Sequence, residues 1–455
     1  MSSNEVDVVV IGMGPGGEEV AGRLAEAGLS VVGVESELVG GECPYWGCVP
    51  SKMMIRGSSL LTEARRADPY AGRTSVIPDL GPVAHRIRVE ATDTWDDTVA
   101  VDRFTGKGGR MVRGTARLDG TGRVAVGDDL FVASRGVVVA TGSAPVVPPI
   151  EGLAATRYWT NREAISAVQA PESLVVLGGG AIGVELAQMF ARYGAAVTVV
   201  EGTDRLLPPE EPEAGEIVAA ALAEDGVTVR TGAKAVRVSR DRTGLVTVDL
   251  EDGSSATAAE LLVSVGRKAR VADIGLETVG LDPAGRALEV DERMRAGNRL
   301  WGVGDVTGVG AFTHMAMYQA GIAIADILGT EGPPADYTGL ARVTFTDPEV
   351  GSVGLTERGA REKGLTVSTG SAQVASSARG WIHGPGNAGV IKLVRDDDTG
   401  LLVGATSVGP WGGEVLSMLT LAVHARVPVD TLRTMIYAYP TFHRGVLDAL
   451  NALPA

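Results

Sequence analysis

Cysteine is nearly absent from this chain, which has only two cysteines among its 455 residues. Two cysteines exclude a fold stapled by several disulfides, and in a reducing compartment such a pair is more often reactive than structural. Aromatic residues are also scarce, at 4%, whereas glycine is abundant, at 62 residues. Glycine-rich turns of an α/β fold explain part of that balance.

Positive charge is in the minority, because 41 lysines and arginines stand against 56 acidic residues, for a net charge of −15. No basic stripe is present, so we expect no nucleic-acid partner. Apolar runs such as 136–140 are far too short to cross a bilayer. The N-terminal segment 1–7 lacks the basic region of a signal peptide. We therefore expect a cytoplasmic protein with no membrane partner.

An internal repeat organises the chain, whose length and ordinary composition predict a globular protein of two to four domains. Each copy reads as a buried strand, a glycine turn, a helix, and a second strand that ends at an acid. The segments are 6–11, 12–17, a helix to about 27, 30–34 and Glu35 in the first copy, and 174–177, 178–183, 184–193, 196–200 and Glu201 in the second. Each acid follows the first glycine of its turn by 23 positions.

This pattern is typical of dinucleotide-binding βαβ units. The glycines allow a tight turn and a close approach of the backbone to a pyrophosphate, whose charge the helix N-terminus attracts. The terminal acid binds a ribose hydroxyl pair. Two copies in register predict two dinucleotide sites, formed by Gly12, Gly14, Gly17 and Glu35 and by Gly178, Gly180, Gly183 and Glu201.

Both cysteines lie in the block 40–52, shortly after the first copy. Cys43 and Cys48 are five positions apart, and Lys52 follows them. This placement favours a redox pair next to a flavin over a structural crosslink. The alternative is that both cysteines are inert small hydrophobic residues.

Other segments predict further elements. Residues 86–132 alternate apolar and polar positions with glycine-rich turns, which predicts short antiparallel strands. Prolines at 145, 148 and 149 and the segment 332–334 mark boundaries. The remaining predicted elements are return strands at 136–143 and 261–267, a strand at 300–305, a helix at 313–328, C-terminal strands at 389–394 and 401–408, and helices at 412–425 and 429–437.

In this order, the motifs resemble the pyridine nucleotide-disulfide oxidoreductase family over essentially the whole chain. The signals are the block 41–52, both glycine turns, the segment 140–142, and Gly304-Asp305 followed by Thr313-His314. The resemblance implies an α/β fold with two Rossmann-like domains, which bind FAD and NAD, and a C-terminal α+β dimerisation domain. The implied boundaries are 1–148 and 271–335 for the FAD domain, 149–270 for the NAD domain, and 336–455 for the dimerisation domain of a homodimer.

The resemblance also implies roles for the residues of the cysteine block. Cys48 is the thiolate that faces the flavin, and Cys43 is the thiol that exchanges with a small-molecule substrate. Lys52 lies near the flavin and pairs with Glu185. An exposed helix position is the alternative for Glu185.

Further residues are implied to hold the cofactors. Asp305 binds the ribityl or pyrophosphate region of FAD, with the capping of a helix as its alternative role. The helix that starts near His314 directs its positive end at the flavin and stabilises the reduced form. The implied cofactor residues outside the two glycine turns and their acids are Gly41, Thr141, Gly142, Gly266, Asp305 and His314.

The acid of the second copy bears on the nicotinamide cofactor. A carboxylate at Glu201 accepts hydrogen bonds from a ribose 2′-hydroxyl and repels a 2′-phosphate. The sequence therefore favours NADH over NADPH. Arg205 could meet a phosphate, but we expect a solvated loop charge there.

The C-terminal segment departs from the family, whose members carry a His-Pro-Thr segment there, with a glutamate a few residues later. That histidine serves as acid and base for the exchange cysteine across a dimer interface. Here Tyr439 precedes the matching Pro440 and Thr441, and Arg444 occupies the glutamate position. A phenol, with a pKa near 10, is a poor base at neutral pH, and loss of an acid-base group costs roughly two to four orders of magnitude in rate. His443 is a substitute base or merely an interface residue.

Two functions stay open. In the first, NADH reduces FAD, FAD reduces the Cys43–Cys48 disulfide, and the dithiol reduces a disulfide or another small acceptor. In the alternative, electrons leave the flavin directly for a quinone, another nicotinamide or a small organic molecule, which the replacements Tyr439 and Arg444 favour. The sequence has no zinc-type cysteine set, and we expect no metal site.

Overall fold

A computed structural model describes residues 3–454 of the chain. Its strands are β1 (Ser3–Ile11), β2 (Val31–Glu35), β3 (Arg110–Arg113), β4 (Ala116–Leu118), β5 (Arg123–Val126), β6 (Asp129–Val139), β7 (Ser143–Pro145), β8 (Ser173–Leu177), β9 (Ala196–Val200), β10 (Thr228–Arg230), β11 (Ala235–Arg240), β12 (Val246–Leu250), β13 (Ser255–Ala258), β14 (Glu260–Val263), β15 (Arg267–Ala269), β16 (Arg295–Gly297), β17 (Leu300–Gly302), β18 (Ala341–Thr344), β19 (Glu349–Gly354), β20 (Val367–Gln373), β21 (Val390–Asp396) and β22 (Leu402–Gly409).

The α-helices connect and cover these strands. They are α1 (Pro15–Glu26), α2 (Glu42–Trp46), α3 (Cys48–Tyr70), α4 (Gly81–Arg86), α5 (Thr98–Gly106), α6 (Asn161–Ser166), α7 (Ala181–Arg192), α8 (Pro212–Glu224), α9 (Thr313–Leu328), α10 (Glu357–Glu362), α11 (Ala378–His383), α12 (Gly412–His424), α13 (Val429–Arg433) and α14 (Gly445–Asn451). Within residues 3–454, no helix combines the length and the apolar character needed to span a membrane.

The chain forms two compact units. The first contains residues up to 51, 84–146 and 266–336, and the second contains 52–83, 147–265 and the residues from 337 onwards. Two of the dividing points, after 146 and after 336, lie close to the predicted proline-marked boundaries. The four domain ranges implied by the resemblance stay predictions.

An eight-stranded sheet forms the frame of the first unit, with the main order β16-β17-β6-β1-β2-β3. At its centre, β1 lies parallel to β2 and to β6, and β17 lies parallel to β6. Val8, Val9 and Val10 are fully buried at consecutive positions of β1. A central parallel strand is covered on both faces, so both sets of its side chains must be apolar. The carboxyl end of β1 leads into the first glycine turn and α1.

The prediction of antiparallel strands over 86–132 is wrong in its first half. A π-helical turn covers Ile87–Ala91, α5 covers Thr98–Gly106, and β3 pairs with β2 in parallel. Only β4, β5 and the first part of β6 form the predicted antiparallel arrangement. Ala100 and Phe104 are buried four positions apart, which is the spacing of one helix face. The alternating polarity that predicted strands was therefore coincidental.

The second unit holds the second glycine turn on a four-stranded parallel sheet, β10-β9-β8-β14. A three-stranded antiparallel sheet, β11-β12-β13, shares its hydrophobic core, in which Val175 and Leu177 of β8 pack with Val246 and Val248 of β12. β8 carries the turn at its carboxyl end, and α7 starts from it. This part repeats the strand, turn and helix order of the first unit.

The C-terminal part of the second unit is a five-stranded antiparallel sheet, β18-β19-β22-β21-β20. Leu416 and Leu419 of α12 and Ala449 and Leu450 of α14 belong to its hydrophobic core. The helix predicted over 429–437 is shorter than expected, because α13 ends at Arg433. The chain after α13 is irregular up to a 3₁₀ turn at Phe442–Arg444.

Candidate active site

The two cysteines occupy neighbouring helix starts in the first unit. Cys43 lies in the first turn of α2, and Cys48 is the first residue of α3, with Gly47 between the two helices. Both are thiols, with Cys43 half-buried and Cys48 exposed. The Cys48 Sγ lies 3.3 Å from the Oγ1 of Thr313, the first residue of α9. This contact brings two predicted motifs, the cysteine block and the Thr313-His314 segment, to one place.

Electrostatics distinguish the two thiols. Cys48 lies at the N-terminus of its own helix and beside that of α9, and helix N-termini favour a thiolate. The hydrogen bond with Cys48, and then burial, raise the pKa of Cys43, although Thr313 opposes this shift. Cys43 is therefore held as a thiol at neutral pH, beside a position suited to negative charge.

Lys52 and Glu185 form an ion pair in the second unit. The Lys52 Nζ lies 2.8 Å from the Glu185 Oε2, and the Glu185 side chain is buried. The other carboxylate oxygen, Oε1, accepts a hydrogen bond of 2.7 Å from the backbone N–H of Phe345. The same ammonium lies 4.6 Å from the centroid of the Phe345 ring, a cation–π arrangement. Phe345 thus helps to position Lys52, and nothing in the sequence links it to residues this distant.

The third glycine of each turn allows the helix to approach the strand closely. The first glycines, Gly12 and Gly178, have φ of +92° and +105°, a region that favours glycine. A Cβ on Gly17 would overlap the carbonyl oxygen of Gly12, and a Cβ on Gly183 would overlap that of Gly178. The two turns therefore have the same construction.

The middle glycine of each turn faces open space. Gly14 and Gly180 cap their helices with nearly equal φ, −69° and −77°, and a Cβ on either would meet nothing within 4 Å. Such an opening at a helix N-terminus fits a pyrophosphate that approaches the backbone. A Cβ on Gly41 would lie 2.9 Å from the Gly14 Cα, so Gly41 packs directly against the first turn.

The two predicted acids support the turns in the same way. The Glu35 Oε2 accepts a hydrogen bond of 2.8 Å from the Met13 N–H, and the Glu201 Oε2 accepts one of 2.6 Å from the Gly179 N–H. The Glu201 Oε1 also accepts bonds of 2.7 and 2.8 Å from the N–H and the hydroxyl of Thr203. Each donor is the second residue of its glycine turn, so each carboxylate is held beside the turn.

Asp305 belongs to a hydrogen-bonded group in the first unit. It lies in a 3₁₀ turn, Gly304–Thr307, and its Oδ2 accepts a bond of 2.5 Å from the Ser143 hydroxyl. Ser143 in turn accepts a bond of 2.8 Å from the Arg267 Nε. Strands β7 and β15 pair antiparallel here, which brings the ends of the two return segments together. The predicted residues gathered in this region are Thr141, Gly142, Gly266 and Asp305.

Ser143 and Arg267 are functional candidates that no sequence motif indicated. Each directly follows a predicted residue, Gly142 and Gly266 respectively. Thr141 donates its hydroxyl to the Arg270 carbonyl at 2.7 Å, so its side chain also serves this junction. His314, in the first turn of α9, is exposed and stacks on Phe312 with ring centroids 5.1 Å apart.

The C-terminal candidates lie on the surface of the second unit. The Tyr439 side chain is 74% exposed. The His443 ring is half-buried, with its centroid 6.0 Å from that of Tyr437. Arg444 forms an ion pair of 2.7 Å with Asp448, one turn further along. The residue at the family's glutamate position therefore bonds to α14, the helix that follows it.

The expectation of a solvated loop charge at Arg205 is wrong. Its guanidinium donates to three backbone carbonyls of its own loop, those of Leu207, Pro208 and Glu210, at 3.3, 2.7 and 3.0 Å. Arg205 is half-buried and acts as a structural clasp, because carbonyls that curl around one cation hold a loop closed.

The glycine turns, the thiol pair and the ion pair define a nucleotide-dependent flavoprotein oxidoreductase. The family of pyridine nucleotide-disulphide oxidoreductases matches residues 6–320, and its dimerisation domain matches residues 340–450. The chain belongs to this family, as the resemblance implied. The predicted α/β fold class with a dimerisation domain is thereby confirmed, and the protein is an FAD-dependent enzyme that uses a pyridine nucleotide.

Relatives cover almost the whole chain. A dihydrolipoyl dehydrogenase of Thermus scotoductus is 33% identical over 98% of this chain and 97% of its own. A mercuric reductase of Streptomyces lividans is 34% identical over 96% and 93%. Among solved structures, LpdA from Mycobacterium tuberculosis has a TM-score of 0.85 and 26% identity over 99% of both chains. The Cu(II) complex of the HOCl-induced flavoprotein disulfide reductase RclA from Escherichia coli has the same TM-score and identity, over 98% and 99%.

Proposed function

We propose that this protein is an NADH-dependent flavoprotein reductase that uses Cys43 and Cys48 to reduce a disulfide or another small acceptor. The observation that carries the proposal is the hydrogen-bonded pair of thiols at the starts of α2 and α3. The Cys48 Sγ also lies 3.3 Å from the Oγ1 of Thr313, at the start of α9. A structural pair has no need of exposure, of helix N-termini or of two thiols with unlike surroundings.

The residues of this chain account for the thiol chemistry. Gly12, Gly14, Gly17 and Glu35 would hold FAD, which would supply the two-electron transfer between NADH and the Cys43–Cys48 disulfide. Cys43, once deprotonated, attacks a substrate disulfide and releases one thiolate, and Cys48 then attacks the Cys43 sulfur and releases the second. The balance is NADH, one proton and one disulfide in, NAD⁺ and two thiols out.

The proton step sets this chain apart from its family. Tyr439 stands where the family has its histidine, and a phenol donates a proton or hydrogen bond more readily than it accepts one. Cys43, whose pKa is raised, therefore lacks a strong base from that position. His443 is the candidate that takes over, because an imidazole side chain can both accept and donate a proton.

NADH is the proposed nicotinamide cofactor. Glu201 ends its strand beside the second glycine turn and bonds to the Gly179 N–H, and a carboxylate there repels a 2′-phosphate. Arg205, the nearest cation in the sequence, is occupied by three carbonyls. NADH and NADPH saturation curves with the same acceptor test this preference.

A homodimer is proposed because the dimerisation domain matches and because its segment 434–440, apart from the buried Tyr437, is exposed in one protomer. Ile436 is 99% and Tyr439 74% exposed, and apolar surface of this kind marks an interface. In the family, this segment serves the thiol site of the other protomer. The same arrangement assigns Tyr439 and His443 to the partner's Cys43.

The Cys43→Ser variant tests the proposal. Anaerobic reduction by NADH, followed by stopped-flow absorbance, should give a long-wavelength thiolate-to-flavin band in the wild type. Turnover of lipoamide, glutathione disulfide and a panel of other disulfides should disappear in the variant. Undiminished turnover of all acceptors by the variant would contradict the proposal.

A second candidate function is direct electron transfer from the flavin to a quinone or another small molecule. The observation that favours it is Arg444, which bonds to Asp448 instead of supplying a carboxylate to a base. Here Cys43→Ser retains most of the quinone reductase activity. Adding Hg(II) and Cu(II) salts to the acceptor panel includes the metals that the names of two relatives mention.

A further inference from the structure

The loop 201–211, between β9 and α8, joins the nicotinamide site to the dimerisation domain within the second unit. At its start, Glu201 bonds to the second glycine turn, and Leu207 donates its N–H to the Gly179 carbonyl at 2.9 Å. In its middle, Arg205 clasps three loop carbonyls. Leu207 has a φ of +49°, an uncommon conformation that persists only where neighbouring contacts impose it. The loop is therefore held in one shape.

At the other end of the loop, two consecutive acids are anchored in the dimerisation domain. Glu210 accepts bonds of 2.7 and 3.1 Å from Arg342 of β18 and one of 2.5 Å from Ser352 of β19. Glu211 accepts a bond of 2.6 Å from the Glu357 N–H, at the start of α10. Glu210 and Glu211 are only 7% and 3% exposed, so both need these partners.

Lys392 of β21 completes this anchor. Its Nζ lies 3.0 Å from Glu211, 2.9 Å from Glu213 and 3.2 Å from Glu357. Burial lowers the pKa of Lys392, but the hydrogen bonds that it donates to Glu213 and Glu211 outweigh burial and raise the pKa overall. The lysine is a buried cation, and one acid each from the loop end, α8 and α10 converges on it.

We propose that Arg342 and Lys392 are positioning residues for the nicotinamide cofactor, because they fix the loop that carries Glu201. The proposal rests on the proposed use of a pyridine nucleotide at the second glycine turn. Neither residue touches the turn; each acts through Glu210 or Glu211 at the far end of the loop. Releasing the anchor should let Glu201 shift away from the ribose hydroxyls that it is proposed to bind, which weakens nucleotide binding without slowing thiol chemistry.

The experiment compares Lys392→Met with Lys392→Arg and with Arg358→Met. Arg358 forms an exposed ion pair of 3.6 Å with Glu362 on α10, so its loss removes a nearby cation that does not hold the loop. Calorimetric titration with NAD⁺ and the KM for NADH are measured on the FAD-loaded enzyme. We expect Lys392→Met to raise the Kd for NAD⁺ and the KM for NADH roughly tenfold or more, with kcat within about twofold of the wild type. Lys392→Arg should restore much of the affinity, and Arg358→Met should match the wild type.

A folded Lys392→Met enzyme with wild-type NAD⁺ affinity would overturn the proposal. If that variant does not fold, Arg342→Met carries the same expectation through Glu210, and wild-type affinity there overturns it equally. If the wild type binds NADP⁺ and not NAD⁺, the proposed cofactor preference fails. In that case, the same titrations with NADP⁺ show whether Lys392 and Arg342 position the cofactor.

Discussion

Cys43 is the residue whose chemistry departs most from an ordinary thiol. Its hydrogen bond with Cys48 and its burial raise its pKa. Cys43 therefore stays protonated near pH 8.5, where half of the molecules of an ordinary thiol are deprotonated. We expect iodoacetamide to alkylate Cys43 of the reduced enzyme slowly at pH 8 and faster as the pH rises beyond 9. Site-resolved mass spectrometry of timed samples measures both rates.

The Cys48→Ala variant is the control for this pH dependence. It removes the hydrogen bond that is the main cause of the raised pKa, so alkylation of Cys43 at pH 8 should accelerate. An alkylation rate at pH 7 equal to that of an unhindered thiol would show that Cys43 is not protected. In that case, the replacement of the family's histidine by Tyr439 costs the enzyme little.

Gly14 and Gly17 lie in one turn, but they are required for different reasons: Gly17 for close packing and Gly14 for an open space. A Cβ on Gly17 would overlap the Gly12 carbonyl, whereas a Cβ on Gly14 meets nothing within 4 Å. We expect Gly14→Ala to fold and to bind FAD at least about tenfold more weakly, because its methyl group enters the space that a pyrophosphate needs. Gly17→Ala should instead lower stability by a few kcal/mol, as overpacking does.

Thermal unfolding and FAD titration of the two apoproteins distinguish these effects. Gly14→Ala should unfold within a few degrees of the wild-type apoprotein. If it holds FAD as tightly as the wild type, the opening at the start of α1 is not the cofactor site. The matched pair Gly180→Ala and Gly183→Ala asks the same question of the nicotinamide site.

At the scale of the element, α7 joins two sites. It starts at the second glycine turn, and Glu185, two residues after Gly183, holds Lys52. On the same face, Gln188 and Arg192 are only 4% and 3% exposed. The Gln188 amide exchanges hydrogen bonds of 2.8 and 2.9 Å with the backbone of Asp347, and the Arg192 guanidinium donates one of 2.8 Å to the Asp347 carboxylate. Three polar residues at i, i+3 and i+7 of an apolar helix indicate a buried polar face, and only the first of them had been predicted as a site residue.

Glu185→Gln tests the ion pair on this helix. The amide oxygen still accepts from the Phe345 N–H, but the charge that pairs with Lys52 is gone. We expect a loss of stability of about 1 kcal/mol and reduction by NADH slowed at least about tenfold. Glu63→Gln is the control, since Glu63 is an exposed acid on the helix that carries Lys52. Equal reduction rates in the two variants would exclude a role for the pair.

Elements differ in how well the sequence predicts them. The helix α9 runs from Thr313 to Leu328 as predicted, because a strand and a glycine-rich loop precede it and Gly329 ends it in a left-handed conformation. The segment 86–106 was predicted as strands but is largely helical, because its alternating polarity matched the period of a strand. The periodicity of polar and apolar residues predicts an element correctly only where the flanking turn residues and the burial pattern agree with it.

At the scale of the whole molecule, the repeat was predictable and the network around Lys392 was not. The spacing of 23 residues between glycine and acid is local and fixed by one βαβ unit. The bonds from Lys392 to Glu211 and from Phe345 to Glu185 join residues separated by 181 and 160 positions. Such contacts depend on how a whole domain closes, which no local pattern encodes.

The proposed homodimer would bury an exposed apolar pair of the C-terminal segment. Met435 and Ile436 are 43% and 99% exposed in the single protomer, in the segment that contains Tyr439. Burying two aspartates in an interface core is strongly unfavourable, so the double variant Met435→Asp/Ile436→Asp should sediment as a monomer. Val99→Asp/Val168→Asp, which changes exposed valines elsewhere, should remain a dimer.

Turnover of the monomeric variant then reports on the C-terminal residues. If Tyr439 and His443 serve the Cys43 of the other protomer, turnover of a disulfide should fall by roughly two to four orders of magnitude. Quinone reduction should persist, because it needs only one protomer's nucleotide sites. A monomer with undiminished disulfide turnover would place the proton transfer within one chain and remove Tyr439 and His443 from the mechanism.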